Sequence, residues 1–108
     1  MIEAGEYVRT KNGKIDKVIN NNCYMPQYIE CEKSLLYKED IVNHSKDLVD
    51  LIEVGDIVNG EKILDITGDY IHTNETDHNR FYLAKHIKTI LTKEQMEANC
   101  YTVERKEK

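Results

Sequence analysis

The residues of this 108-residue chain that could do chemistry are four histidines, three cysteines and twenty acids. A metal site would draw on His44, His72, Asp77, His78 and His86, or on Cys23, Cys31 and Cys100. Zinc sites depend on close ligand pairs such as C-x2-C or H-x3-H, which let one loop or helical turn present two ligands to one ion. No such pair is present, and His72 and His78 stand six apart. A nucleophilic cysteine needs a base or a cation beside it to hold the thiolate. No histidine is fixed beside Cys23, Cys31 or Cys100, so all three are expected to be reduced, buried thiols. Scattered single glycines form no phosphate-binding loop. The chain therefore reads as a non-enzyme with no catalytic residue, metal or cofactor.

The tetrapeptide Asp65-Ile66-Thr67-Gly68 resembles the Asp-Thr-Gly of aspartic proteases, but Ile66 interrupts it, and Gly68 is explained as a turn residue.

Charge says more. The net charge is −5, yet residues 39–77 hold eleven acids against only Lys46 and Lys62, a local net of −9. Phosphate affinity comes from Lys and Arg, so this segment is a poor partner for nucleic acid and a fair one for a basic protein surface. Glu53, Asp56, Glu61, Asp69, Glu75 and Asp77 are the expected protein-binding acids. The opposing possibility is a nucleic-acid-binding module using Arg9, Lys11, Lys14 and Lys17 near Tyr7 on the first hairpin. Seven tyrosines against one Phe and no Trp also suit a protein interface, because a tyrosine ring is apolar while its hydroxyl tolerates water.

The elements that must position these residues are mostly strands. Asn12-Gly13 suits a type I′ turn between strands 6–11 and 14–19. That register would set Arg9 opposite Asp16, an opposite-charge pair worth about 0.2–1 kcal/mol. Strands are expected at 28–32 and 41–44, and Ser45 would cap a short helix through Leu51, with Leu48, Val49, Leu51 and Ile52 facing the core. A strand remains the alternative for that stretch. A meander follows: Asn59-Gly60 joins 56–58 to 61–67, and Gly68-Asp69 returns 70–73, placing Ile66 opposite Ile71 and Asp65 opposite His72. Residues 74–79 read as a loop, and 80–84 and 86–91 as the last long strands. Thr92-Lys93-Glu94-Gln95 is a capping box for a helix over 93–99. A further strand is expected at 100–103 and a charged tail at 104–108, making one domain over 1–103. The fold class is mainly β (α+β): a small antiparallel SH3-like barrel or bent sheet with one or two short helices.

There is no apolar run of about 18 residues, so no membrane span is expected. The acidic N-terminus does not read as a signal peptide, and the expected location is cytoplasmic.

Three segments carry a resemblance: residues 5–13, 50–60 and 87–96. With these the chain resembles small uncharacterised accessory proteins of phages and prophages in Firmicutes, clostridial in type. The resemblance implies a protein of the bacterial host cytoplasm that binds a host protein and inhibits antiviral defence, in the manner of an anti-CRISPR, its acids occupying a basic nucleic-acid channel. Oligomeric state is left open, a homodimer included.

Overall fold

The first hairpin departs from its expected register by one residue, and much of the architecture follows from that. In the computed structural model, which describes residues 2–21 and 26–99, strands β1 (Tyr7–Thr10) and β2 (Ile15–Asn20) pair with Tyr7 opposite Lys17, Val8 opposite Asp16 and Arg9 opposite Ile15. The turn is not type I′. The Gly13 N–H donates to the Thr10 carbonyl at 3.0 Å, the Thr10 N–H donates to the Lys14 carbonyl at 2.9 Å, and only Gly13 takes a positive φ, +85°. This is the three-residue loop in which a type I turn ends on a left-handed glycine. One extra loop residue shifts every pairing, so Arg9 does not meet Asp16.

Asp16 instead caps the turn after β3 (Tyr28–Cys31): its carboxylate accepts from the Lys33 N–H at 3.1 Å and the Ser34 hydroxyl at 3.0 Å. Strands β4 (Leu35–Tyr37) and β5 (Ile41–Ser45) complete an antiparallel sheet of order β4-β3-β2-β1-β5. Val8, Val18, Ile29 and Cys31 are buried on one face of it, with Ile2, Leu36 and Ile41 packed against them. Strand alternation puts Tyr7, Arg9, Ile15 and Lys17 on the other face.

The second sheet, of β6 (Ile57–Val58), β7 (Glu61–Thr67), β8 (Tyr70–Thr73), β9 (Asp77–Asn79) and β10 (Ile90–Leu91), has the order β10-β6-β7-β8-β9. Strands β6 (Ile57–Val58) and β7 (Glu61–Thr67) are joined by a true type I′ turn, with Asn59 at φ +52° and Gly60 at +82°. Strand β8 (Tyr70–Thr73) takes the expected register, Ile66 opposite Ile71 and Asp65 opposite His72. Val49, Ile52, Val58, Ile63, Ile71 and Leu83 form this sheet's core. The chain is mainly β with two short α-helices, in two antiparallel sheets, and among the described residues neither sheet closes into a barrel.

Four local expectations are corrected. Ser45 ends β5 instead of capping a helix, and only a 3-10 turn forms at Leu48–Leu51; Val49, Leu51 and Ile52 are buried but Leu48 is only half-buried. The Ser45 hydroxyl donates to Asp50 and accepts from the Asp47 N–H, an arrangement that competes with helix formation. Asp77–Asn79, expected in a loop, is strand β9. Residues 80–84, expected as a strand, are helix α1 (Arg80–Ala84), because the Asn79 side chain accepts from the Phe81 and Tyr82 N–H groups and caps it. Residues 86–91 shorten to β10 (Ile90–Leu91), because the Asn59 side chain takes the Lys88 and Thr89 N–H groups and donates to the His86 carbonyl. The capping box does start α2 (Lys93–Asn99), with the Gln95 N–H donating to the Thr92 hydroxyl at 3.3 Å and the Thr92 N–H to the Gln95 side chain at 3.4 Å. The strand expected at 100–103, the tail at 104–108, and Cys23 and Cys100 lie outside the described residues.

A buried charge network joins the sheets. Arg9 is 0% exposed. Its guanidinium donates to Asp56 at 2.6 and 3.0 Å, to the Leu51 carbonyl at 2.8 Å and to Glu94 of α2 at 2.7 Å. Asp56 is also 0% exposed, and it accepts further from the Glu53 N–H at 2.8 Å and the Lys93 N–H at 3.0 Å. Burial opposes the Arg9 charge, but the hydrogen bonds it donates to Asp56 and Glu94 outweigh it and raise its pKa further. Beside this network the Thr92 hydroxyl donates to the Gly13 carbonyl at 2.8 Å.

Asp56→Ala leaves Arg9 buried without its main counter-charge, which costs about 3–5 kcal/mol. Urea unfolding measures it; a loss below about 1 kcal/mol would show that the network carries little of the fold's stability. Replacing both partners by Met and Leu is expected to recover much of that loss, since apolar replacements of both members of a buried pair are often tolerated. Gly13→Ala puts a Cβ 2.2 Å from the Thr92 hydroxyl, whereas a Cβ at Gly60 meets open space. Both glycines have positive φ, so the same comparison of midpoints isolates the clash: Gly13→Ala is expected to be the more destabilising by about 1 kcal/mol or more.

Candidate protein-binding surface

The six acids expected to form one surface do not lie together. Asp56 is interior, the buried partner of Arg9, and is removed from any contact surface. Glu53 reaches the same seam, 3.0 Å from Lys93 and 3.5 Å from the Arg9 Nε, and its hydrogen bond holds the Lys93 pKa above its ordinary value. Glu61 accepts from the Thr73 hydroxyl at 2.6 Å and lies 3.1 Å from His78. The bond from Thr73, then that to His78, holds the Glu61 pKa below its ordinary value. Of the six, only Asp69, Glu75 and Asp77 stand exposed on the second sheet and its turns.

Strand pairing adds a residue outside the expected set. Asp65, His72 and Asp77 form one row across β7, β8 and β9, on the face opposite Ile66 and Ile71. The His72 Nδ1 contacts Asp77 at 2.8 Å rather than Asp65, whose carboxylate turns back to the Ile66 N–H and the Thr67 hydroxyl. Tyr70 shares that outer face and is 54% exposed.

Helix α1 brings two more rings. Phe81 is 67% exposed and Tyr82 58%, while Leu83 alone anchors the helix in the core. The helix is held at the end of the sheet: the Arg80 N–H donates to the Asp69 carbonyl at 2.6 Å, and Asn79 pairs with Tyr70. Arg80 also pairs with Asp50. The Ser45 hydroxyl, then Arg80, keeps the Asp50 carboxylate below its ordinary pKa. Asp47, Asp50, Asp69, Phe81, Ala84 and Lys85 line a groove of about 530 Å3 here. The sequence carries a signal for Tyr70, since the register set by Gly68-Asp69 puts it on the face of Asp65. Nothing in the pattern signals Phe81, because 80–84 reads as a strand.

The basic set fares differently from expectation. Arg9 is buried in the seam, so it is not available to a surface phosphate. Lys11 is exposed and lies 3.9 Å from Asp40, Lys14 is half-buried, and the Lys17 ammonium sits 5.6 Å over the Tyr7 ring. The four do not make one patch. Cys31 is buried, and burial, with Asp16 nearby, pushes its thiol up to about 11, which keeps it protonated at neutral pH. His44 contacts Glu6 at 2.8 Å, and His86 stacks on Tyr82 with ring centroids 4.1 Å apart. Among the described residues no three potential ligands converge on one point where a metal ion could be held. No described helix is long and apolar enough to cross a membrane.

Comparison with protein-family models, with curated proteins and with solved structures finds no match to this chain.

A pH dependence follows from the carboxylates. The pKa of Glu6 is lowered, chiefly by the His44 hydrogen bond, and that of Glu61 by Thr73 and His78. A depressed folded pKa contributes stability that is present above the unfolded value, near 4.5, and is lost as pH falls through the folded value. Wild type is therefore expected to be more stable than Glu61→Gln at neutral pH, the difference closing as pH drops below that value. Thermal unfolding of both proteins across acid pH checks this; a difference independent of pH would rule out the carboxylate as its source.

Proposed function

We propose that this is a non-enzymatic accessory protein that binds a host protein through the outer face of its second sheet. The observation that carries the reading is the exposure of Tyr70 on the face of Asp65 and Asp77, and of Phe81 in the groove it shares with Asp69. Interface cores are rich in aromatic side chains, and a charged rim sets orientation and encounter rate. The partner surface that fits is basic, with apolar recesses for the rings. The resemblance to phage accessory proteins supplies the setting: a defence effector whose nucleic-acid channel is basic, inhibited by occupation of that channel. What supports the acidic version is narrower than the raw charge of residues 39–77, because Asp56, Glu53 and Glu61 are committed within the fold.

The test separates surface from scaffold. Wild type, Phe81→Ala with Tyr70→Ser, and Asp69→Lys with Glu75→Lys and Asp77→Lys are each immobilised and challenged with a host lysate. The bound proteins are identified by mass spectrometry. The aromatic pair is expected to lose the partner outright. The charge-reversed protein is expected to bind at least about tenfold more weakly, with a flatter salt dependence. Unchanged capture by the charge-reversed protein would eliminate the acidic surface, and unchanged capture by both would eliminate this face. Asp56→Lys is not a test of binding, because it would disrupt the seam.

A further inference from the structure

A second feature lies where the two sheets meet, away from the acidic face. The face of the first sheet that carries Arg9 also carries Tyr7, Ile15 and Lys17. Opposite them run Leu48 and the segment 87–90, which the Asn59 side chain holds in place. Between them is an open cleft of about 240 Å3. Its walls are apolar: Ile15, Leu48, Ile87 and Ile90, none of them fully buried, together with the Tyr7 ring. Its rim is cationic. Lys17, Lys33 and Lys88 come from three distant parts of the chain and converge on it.

Two acids also line the cleft, and they differ. Asp16 is 4% exposed, and its carboxylate accepts from the Lys17 N–H, the Lys33 N–H and the Ser34 hydroxyl. It is saturated by its own loop. Glu32 is exposed. The lining thus carries three lysines against two carboxylates, a net of one positive charge, and of the two acids only Glu32 is exposed. A phosphate monoester carries about −1.5 to −2 at neutral pH and three acceptor oxygens, enough to offer one to each of the three lysines, whereas a carboxylate ligand has only two. The apolar walls need a body that leaves water readily. Glu32 and the Thr89 hydroxyl, at the same cleft, need a ligand with donors and acceptors of its own. A hydrocarbon phosphate leaves them unused; a nucleoside phosphate offers ribose hydroxyls and base edges.

We infer that this cleft binds a nucleoside monophosphate group, with the phosphate on Lys17, Lys33 and Lys88 and the base against the isoleucine wall. The group comes either from a free nucleotide or from the phosphorylated end of a nucleic-acid strand. The inference is independent of the protein-binding face proposed above. It also differs from the hairpin reading of the sequence, since it omits Arg9 and recruits two lysines from outside that hairpin.

The experiment is a titration of the 15N-labelled full chain followed by two-dimensional NMR. The probes are AMP, a short 5′-phosphorylated oligonucleotide, phenyl phosphate and inorganic phosphate. AMP is expected to shift amides at Tyr7, Ile15, Lys17, Lys33, Lys88 and Thr89, and to bind more tightly than phenyl phosphate or phosphate. Lys33→Ala and Lys88→Ala are each expected to weaken it about tenfold, the loss of one charge-assisted contact. Lys11→Ala, the same charge change outside the cleft, is expected to leave it unaltered. A tighter oligonucleotide assigns the strand end, and equal affinity assigns the free nucleotide; both support the site. Shifts elsewhere, affinity insensitive to Lys33 and Lys88, phenyl phosphate binding as well as AMP, or no shift at millimolar AMP would each overturn it. The backbone N–H bonds of Lys33 and Lys88 do not depend on their side chains, so both variants are expected to fold, and their spectra show whether they do.

Discussion

A guanidinium with no exposed surface sits where the two sheets meet, and the fold is arranged to keep it charged there. An isolated ion in that position would cost several kcal/mol, so its partners are obligatory. Asp56 supplies two oxygens, Glu94 a third and the Leu51 carbonyl a fourth. The groups come from four separate stretches of chain: β1, the 3-10 turn, the approach to β6, and the start of α2. Aliphatic packing alone would let these elements slide, because one isoleucine fits against another in many ways. A planar fork with fixed donors does not tolerate sliding. A one-residue slip of β1 would turn Arg9 onto the face of Val8, Val18 and Ile29 and away from Asp56, the Leu51 carbonyl and Glu94.

That requirement explains where the acidic charge goes. Residues 39–77 carry a net of −9 in sequence, but the seam consumes Asp56 and Glu53, Arg80 pairs with Asp50, and Glu61 is held by Thr73 and His78. The acids that still face water on the second sheet gather toward the turns and outer face of β7, β8 and β9. Charge density along a chain is therefore not charge density on a surface, and here two of the four committed acids, Asp56 and Glu53, are drawn in by one buried arginine.

Legibility follows the range of the interaction concerned. The β7–β8 register is readable because a two-residue turn fixes the strands on either side of it, and the α2 cap is readable because all its partners lie within four residues. The first hairpin is readable only to within one position: Asn-Gly serves a type I′ turn and a type I turn with a glycine bulge equally well, and the choice rests on contacts with Thr92, far along the chain. That single position conceals the Arg9 partnership altogether. Asn59 and Asn79 read as turn and loop residues, yet their side chains decide the path of 86–89 and the helix at 80–84. Polar side chains that bind backbone at a distance leave no periodicity behind.

The Asn79 cap settles what kind of surface the second sheet presents. As a strand, residues 80–84 would have alternated and buried every second ring. As a single helical turn pinned by Asn79 and anchored by Leu83 alone, they leave Phe81 and Tyr82 in water. Burying a ring of that size is worth about 1.5–3 kcal/mol, so exposing neighbouring rings forgoes stability. Exposed hydrophobics scattered singly are ordinary; neighbouring ones rimmed by charge are the feature on which the protein-binding proposal rests. That edge is tied to the rest of the fold at Arg80, which donates to the Asp69 carbonyl and the Asp50 carboxylate. A partner meeting this face would find the rings already in place, and the ordering of that segment would already have been met in folding.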